Sequence, residues 1–296
     1  MSAPAPSPAG DAPAAAPRAA ATLVLLRDAR DGVEAFMLKR HADDSVLADA
    51  YVFPGGKVDA ADASDALLAR FGVAAPALHA RLAEPELDPQ AAAAVFAAAV
   101  RETFEETGVL LATDADAPLA ERAYAMLREG IDFAGILERL GLRLDASLLE
   151  PWSRWVTPPI PSLIRRRFDT RFFVARLPAG QSALHDLRES VGGEWLAPRA
   201  ALEAYWAQRI VLAAPQIMTL AHVARFADVD AVLAEARRRP PPVIRPEPRQ
   251  VGETRLLLYP GDPEHPVRER AMPGPTRMLF ENGRFRPERG FDAWFD

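Results

Sequence analysis

Residues 101–108 have the sequence RETFEETG and end an alanine-rich segment that begins near Gln90. At 100° per residue, a helix over this segment places Phe104 and its apolar neighbours on one side and acidic side chains on the other. Gly108 follows at the position where helices commonly end in the left-handed conformation. The segment therefore predicts a helix from about 90 to 107 with one buried face and three carboxylates opposite it, from Glu102, Glu105 and Glu106.

The spacing of these three glutamates bears on function. Side chains three and four positions apart are neighbours on a helix, so their negative charges repel one another unless a cation lies among them. Oxygen ligands without His or Cys favour Mg²⁺ or Mn²⁺ over Zn²⁺. The alternative is an ordinary solvated acidic face on which Arg101 pairs with Glu105. The helix by itself leaves both interpretations open.

A second segment, FPGGKVDAAD at 53–62, favours the metal-binding interpretation. Together the two segments resemble the halves of the Nudix box, G-x5-E-x7-R-E-U-x-E-E-x-G-U, where U is an aliphatic residue. Gly56 matches the first glycine, and the second half is matched by Arg101, Glu102, Glu105, Glu106, Gly108 and Val109.

The resemblance implies a role for each matched residue. Glu105 and Glu106 are expected to bind the metal ion, and Glu102 to bind it or to act as general base. The carbonyl group of Gly56 would complete the metal shell, and Arg101 would orient the glutamates through charge-assisted hydrogen bonds.

This sequence departs from the pattern at three places. Asp62 stands at the first glutamate, Thr103 stands where an aliphatic residue is usual, and residues 63–100 separate Asp62 from Arg101 where the pattern has seven positions. A long insertion inside the box makes the chain similar to the peroxisomal coenzyme A diphosphatases of animals. The segments WVTP, RFDTRFF and EWLAP add to that similarity, which covers roughly residues 20–225.

The function implied by this resemblance is metal-dependent hydrolysis of a diphosphate bond, with coenzyme A or acyl-coenzyme A as the first substrate candidate. ADP-ribose, dinucleotides and nucleotide sugars are alternatives, as is a catalytically silent module that senses a nucleotide. We expect three arginines near an aromatic strand to hold substrate phosphate, or else to be surface ion-pair residues: Arg165, Arg167 and Arg171. Glu189 is an alternative base or metal ligand, or an exposed loop carboxylate.

Strand and helix signals predict an α/β (α+β) fold, a Nudix-like α/β/α sandwich around a mixed β-sheet. Asp31-Gly32 between two apolar runs predicts a β-hairpin at its start. The expected organisation is a disordered Ala/Pro-rich tail at 1–20, a hydrolase domain at 21–238 with a helical insertion at 63–90, and a proline-rich linker with a β-rich extension at 239–296.

Composition excludes several classes of protein. The chain has no cysteine, which excludes disulfides, zinc–thiolate sites and thiol nucleophiles. Its net charge of −6 argues against nucleic acid as a partner. We find neither a secretory signal pattern nor an apolar run of membrane-spanning length, so we expect a cytoplasmic protein without membrane contact. The resemblance implies a small-molecule diphosphate as the partner and is compatible with a homodimer.

Overall fold

The computed structural model describes residues 16–41, 49–159, 167–184 and 190–296. Within these ranges the strands are β1 Arg18–Ala29, β2 Gly32–Arg40, β3 Tyr51–Val52, β4 Gly55–Lys57, β5 Glu150–Val156, β6 Phe168–Arg176, β7 Ser190–Leu196, β8 Val243–Ile244, β9 Glu247–Val251, β10 Thr254–Leu258, β11 Arg277–Glu281 and β12 Arg284–Arg286. The α-helices are α1 Asp65–Leu68, α2 Ala75–Leu82, α3 Pro89–Thr107, α4 Ala117–Arg128, α5 Phe133–Leu140, α6 Pro198–Trp206, α7 Ala214–Val223 and α8 Val229–Arg238.

The predicted hairpin and mixed sheet are confirmed. Strands β1 and β2 pair antiparallel across a turn at Arg30-Asp31, and Gly32, which has a φ of 122°, begins β2 opposite Ala29. The main sheet has the order β3-β2-β1-β6-β5-β8, with β4 paired to β1 and β7 paired to β2. The pairs β1–β6 and β5–β8 are parallel, and the other pairs are antiparallel.

Alternate residues of the strands build two hydrophobic cores on opposite faces of this sheet. On β1, Leu23 and Leu25 face one core, which also contains buried residues of α2 to α5. Val24 and Leu26 face the other core, which contains buried residues of α6 to α8. The predicted α/β/α sandwich is therefore confirmed, since helices cover both faces of the sheet.

Helix α3 forms where its sequence predicts. Pro89 occupies its first turn, and the side chain of Asp88 accepts hydrogen bonds from the backbone N–H groups of Gln90 and Ala91. The helix ends at Gly108, whose φ of 72° is the left-handed conformation expected there. Its run of buried alanines brings the helix backbone close to the sheet, which fixes where the glutamates at its end lie.

The expected boundaries of the tail and the insertion differ from the structure. Strand β1 begins at Arg18, so residues 18–20 belong to the sheet and not to the tail, while residues 1–15 lie outside the described ranges. Pairing in a sheet depends on backbone N–H and C=O groups, so the small side chains of Ala19 and Ala20 carry no signal that these residues form a strand. Within the insertion, Leu67, Leu78 and Leu82 are buried in the core that also contains α3. The last two positions predicted for the insertion, 89 and 90, are the first residues of α3.

The C-terminal region is β-rich, as predicted. Strands β9 to β12 form an antiparallel four-stranded sheet, and Tyr259 and Trp294 are buried in the same core as α7. The proline-rich segment differs from a free spacer, because β8 within it pairs with β5 at the edge of the main sheet. Within the described ranges, no helix combines the length and the apolar character that crossing a bilayer requires.

Candidate active site

The turn at Gly55-Gly56 lies against the last turns of α3. The antiparallel pairing of β4 with the start of β1 holds this turn, with Gly56 opposite Ala21. The side chain of Glu106 accepts a hydrogen bond of 2.8 Å from the backbone N–H of Gly55. The structure therefore brings together the glycine turn and the glutamate helix, although most of the insertion separates them along the chain.

Gly56 lies so close to the Glu102 carboxylate that a side chain at position 56 would collide with it. A Cβ atom at this position would lie 2.4 Å from Oε1 of Glu102, far inside van der Waals contact. At Gly55 the same atom would lie 2.4 Å from the backbone oxygen of Ala21. Glycine is required at position 55, where the added atom would meet the backbone of β1 and φ is 152°, whereas a side chain at position 56 would displace the Glu102 carboxylate.

Arg101 links the glycine turn, the start of the insertion and the helix. Its guanidinium donates to both oxygens of Asp62, at 2.7 and 2.9 Å, and to the carbonyl group of Lys57 at 3.1 Å. Its Nη1 donates to Oε1 of Glu102 and Oε2 of Glu105, each at 3.0 Å. Arg101 thus fixes the positions of two of the three helix glutamates, which is the orienting geometry expected of it.

Asp62 is the residue whose importance the sequence left open. Its side chain has no exposed surface and also accepts a hydrogen bond of 2.8 Å from the backbone N–H of Asp59. A 3-10 helix over Ala60–Ala63 carries it to Arg101. The signal in the sequence is its place at the first glutamate of the box.

The electrostatics of this site are dominated by negative charge. Burial lowers the pKa of Arg101, but hydrogen bonds to Asp62 and the charges of Glu102 and Glu105 outweigh that effect and hold the pKa above its ordinary value. Four carboxylates lie between 2.7 and 3.8 Å from this one guanidinium. The cluster therefore has an excess of negative charge that a cation would neutralise.

The donor chemistry fits a hard divalent cation. All candidate ligands are oxygen atoms, and the backbone at Gly56 lies so close to the Glu102 carboxylate that an added Cβ would be 2.4 Å from it. Within the described ranges, no group of three or more His, Asp and Glu side chains is arranged as a ready metal cage. Glu106 faces the Gly55 N–H, while Glu102 and Glu105 face Arg101, so metal binding would require these carboxylates to rotate.

Two of the other predicted site residues, Arg167 and Arg171, belong to the described part of the chain. Arg165 and Glu189 lie outside the described residues. Arg167 donates through Nε to the carbonyl group of Thr157 at 3.1 Å.

Arg171 occupies a closed position on β6. Its guanidinium donates to both oxygens of Glu84, at 2.6 and 3.0 Å, and lies 3.1 Å from Asp169. Its side chain is only 5% exposed. The guanidinium already pairs with protein carboxylates, which argues against a contact with substrate phosphate. The binding role of Arg171 stays a prediction.

Comparison with known proteins gives one family. The model of the NUDT19 Nudix domain matches residues 12–223. The human acyl-coenzyme A diphosphatase NUDT19 is 30% identical over 237 residues, covering 67% of this chain and 62% of the human protein. The Xenopus laevis protein of the same name is 27% identical over 232 residues, covering 67% and 61%. The chain thus spans less than two thirds of the length of these relatives.

A solved structure supports the same fold. The crystal structure of a NUDIX hydrolase from Alicyclobacillus acidocaldarius aligns with a TM-score of 0.58 at 28% identity, covering 74% of this chain and 96% of the other. Residues 224–296, which include α8 and the second sheet, lie beyond the range that the family model matches.

Proposed function

Because this chain belongs to the NUDT19 Nudix domain family, we propose that it hydrolyses the diphosphate bond of a nucleoside-diphosphate-linked substrate, most specifically coenzyme A or acyl-coenzyme A. The observation that carries the proposal is the contact between the glycine turn and the helix glutamates. Glu106 accepts from the Gly55 N–H, and Gly56 has no side chain where Glu102 stands. This is the arrangement that the split sequence motif requires.

The proposed metal ligands are the carbonyl group of Gly56 and the carboxylates of Glu102, Glu105 and Glu106. Enzymes of this family generally use divalent cations, and an oxygen-only donor set suits Mg²⁺ or Mn²⁺. When bound, the cation supplies charge neutralisation for the diphosphate and lowers the pKa of water.

The residues of the chain then have separable tasks. Glu102 is the first candidate for general base, taking the proton as the water oxygen forms its bond to phosphorus and the bridging P–O bond breaks. Arg101 holds Glu102 at 3.0 Å, which limits its rotamers. Asp62 holds Arg101 from the buried side. Glu189 is the alternative base and lies outside the described residues.

Substrate identity depends on the relatives and on phosphate recognition. The human and Xenopus laevis relatives are named acyl-coenzyme A diphosphatases. We propose Arg165 and Arg167, which precede β6 in the sequence, as contacts for a substrate phosphate group. A silent sensing module is disfavoured because all three helix glutamates are retained.

A substrate panel tests the proposal. The full chain is incubated with Mg²⁺ or Mn²⁺ and coenzyme A, acyl-coenzyme A esters, ADP-ribose, NADH or diadenosine polyphosphates, and the products are separated by chromatography. Phosphopantetheine or its acyl ester, together with adenosine 3′,5′-bisphosphate, is the expected result. Faster turnover of ADP-ribose or a dinucleotide would move the assignment within the family, and nucleotide binding without any turnover would overturn it.

A further inference from the structure

Two arginines lie on β12, at one edge of the C-terminal sheet, and we call them the β12 arginine pair. Arg284 and Arg286 are two positions apart on the strand, so their side chains lie on the same face. The guanidinium of Arg284 lies 5.7 Å from the ring centroid of Tyr205. That of Arg286 lies 4.6 Å from the ring centroid of Trp206. The pair therefore packs against the last two residues of α6.

Contacts with α6 hold β12 and Arg284 in place. Nη1 of Arg284 donates to the carbonyl groups of Tyr205 and Trp206, at 2.5 and 3.0 Å. The hydroxyl group of Tyr205 donates to the carbonyl group of Phe285 at 3.1 Å and accepts from its backbone N–H at 2.8 Å. A ligand of the pair would therefore meet an ordered strand, which lowers the entropy cost of binding.

The positive charge of the pair is not balanced by acidic groups. Neither guanidinium forms an ion pair with a carboxylate of the described residues. Glu281 lies opposite Arg284 in the register of β11 and β12, but these two side chains are not paired. Burial lowers the pKa of Arg284, and the charge of Arg286 lowers it further. The pair has the opposite charge balance to the cluster at the end of α3, so an anion would neutralise it.

Several N–H groups of the pair also lack an acceptor. Nε and Nη2 of Arg284 and Nε of Arg286 are buried and have no hydrogen-bond acceptor within the described part of the chain. A buried donor without an acceptor is destabilising. Both residues keep some exposed surface, so the pair lies at the boundary with solvent. Oxygen atoms of a ligand would supply acceptors that the protein does not.

The chemistry of the pair favours a phosphate group. Guanidinium groups bind oxyanions through paired N–H donors, and phosphate offers several acceptor oxygens. Two guanidiniums carry two positive charges, which match the charge of a phosphate monoester near neutral pH. A polyanion such as nucleic acid is a poor match, because the chain as a whole has a net charge of −6.

We propose that the β12 arginine pair binds a small phosphate-containing anion, either inorganic phosphate or a phosphate monoester. The site is separate from the metal cluster, because Tyr205 belongs to the core on one face of the main sheet and α3 to the core on the other. The inference does not depend on the proposed function. Both arginines lie beyond residue 223, where the match to the family model ends.

Phosphate titrations followed by phosphorus nuclear magnetic resonance test this inference. Inorganic phosphate and adenosine 5′-monophosphate are titrated separately into the full chain, at constant ionic strength and with EDTA, so that no divalent cation attracts phosphate elsewhere. We expect saturable binding with one phosphate per chain. Arg286→Gln should weaken it about tenfold or more, because a charge and paired donors are lost. Arg249→Gln, exposed on β9 at the opposite edge of the same sheet, is the matched control and should bind like the unmodified chain.

Thermal melting separates a loss of binding from a loss of folding. Phosphate should raise the melting temperature of the unmodified chain and of Arg249→Gln more than that of Arg286→Gln. If Arg286→Gln does not fold, Arg286→Lys replaces it, since it keeps the charge but loses the paired donors, and it should still bind more weakly.

The two ligands distinguish the source of the phosphate group. Equal or tighter binding of inorganic phosphate supports a site for the free anion, and tighter binding of the monophosphate supports a site for phosphate esters. Absence of saturable binding of either ligand, or equal affinities in all the folded proteins, overturns the inference while the proposed function stands.

Discussion

Two clusters of arginine and carboxylate groups, one at the end of α3 and one on β5 and β6, differ in charge balance. In the α3 cluster one guanidinium faces four carboxylates. In the β-sheet cluster two guanidiniums face three carboxylates, from the residues Arg154, Arg171, Glu84, Glu86 and Asp169. The first cluster has a clear excess of negative charge, and the second is nearly neutral.

We propose that this difference distinguishes a metal-binding cluster from a structural ion network. Glu84 and Arg171 are 4% and 5% exposed, and hydrogen bonding to Asp169 helps to raise the pKa of Arg154 above its ordinary value. Such a network is closed, because each charge already has its partner. In the α3 cluster, the side chain of Glu105 is 33% exposed and the carboxylates outnumber their partner. We propose that this cluster binds a cation.

The largest expected effect is on turnover in the α3 cluster. Glu106→Gln removes a proposed metal-ligand charge without changing side-chain volume, and its amide oxygen can still accept from the Gly55 N–H. We expect kcat to fall by roughly 100- to 1000-fold. The melting temperature should change little.

Turnover with saturating Mg²⁺ and thermal melting, measured on the same preparation, check this expectation. Glu129→Gln, at the exposed end of α4, is the matched control and should retain full activity. Activity of Glu106→Gln near that of the unmodified chain would remove the helix glutamate from the mechanism.

In the β-sheet cluster we expect a substitution to lower stability and to leave kcat unchanged. Glu84→Gln leaves the charges of Arg171 and Arg154 without their buried partner, so we expect the free energy of unfolding to fall by about 3 kcal/mol. The kcat of the folded fraction should stay close to that of the unmodified chain. Urea unfolding and kinetics measured below the transition test both statements.

Glu86 provides the control for that substitution. It pairs with the same Arg154 at 2.8 Å, but its side chain is 62% exposed, so Glu86→Gln should leave stability almost unchanged. Equal losses in the two variants would show that burial does not distinguish them. A large fall in kcat for Glu84→Gln would mean that the β-sheet cluster also serves the reaction.

A smaller effect is expected at the glycine turn. In Gly56→Ala the added Cβ would lie 2.4 Å from Glu102, so the carboxylate must shift away from its position beside Arg101. We expect kcat/KM to fall about tenfold, with a higher Mg²⁺ requirement. Gly192→Ala, where no atom lies within 4 Å of the added Cβ, is the control. Identical kinetics for the two variants would contradict the proposed geometry.

The smallest expected effect is on the free energy of unfolding of the metal-free protein. Glu105→Gln removes one of the four carboxylates around Arg101, and the relief of repulsion offsets the loss of a half-exposed ion pair at 3.0 Å. In EDTA we expect the free energy of unfolding to change by less than about 0.5 kcal/mol. A loss comparable to that of Glu84→Gln would show that the α3 cluster is itself structural and that the comparison between the two clusters fails.

Sequence predicted the parts of the fold that depend on local signals. The hairpin at Asp31-Gly32 and the helix ending at Gly108 are each encoded within a few residues, by turn chemistry and apolar periodicity. The α/β/α layering followed from the order of these elements. The meeting of Gly56 and Glu102 was predicted from family resemblance, because no local signal spans the insertion.

The remaining features depend on contacts between distant positions. Arg171 and Glu84 are 87 positions apart, so no local pattern reveals that their side chains form a buried ion pair. The pairing of β8 with β5 likewise depends on an open sheet edge that the proline-rich segment does not reveal. The reach of Asp62 to Arg101 depends on the 3-10 helix that carries it.

The central claim is that the carboxylates at the end of α3 bind divalent cations. Titration of Mn²⁺ into the full chain, with free Mn²⁺ followed by electron paramagnetic resonance, tests it without reference to any substrate. We expect saturable binding by the unmodified chain and loss of that binding in a variant carrying Glu102→Gln, Glu105→Gln and Glu106→Gln that melts at a similar temperature. Equal Mn²⁺ binding by the two folded proteins would contradict the claim.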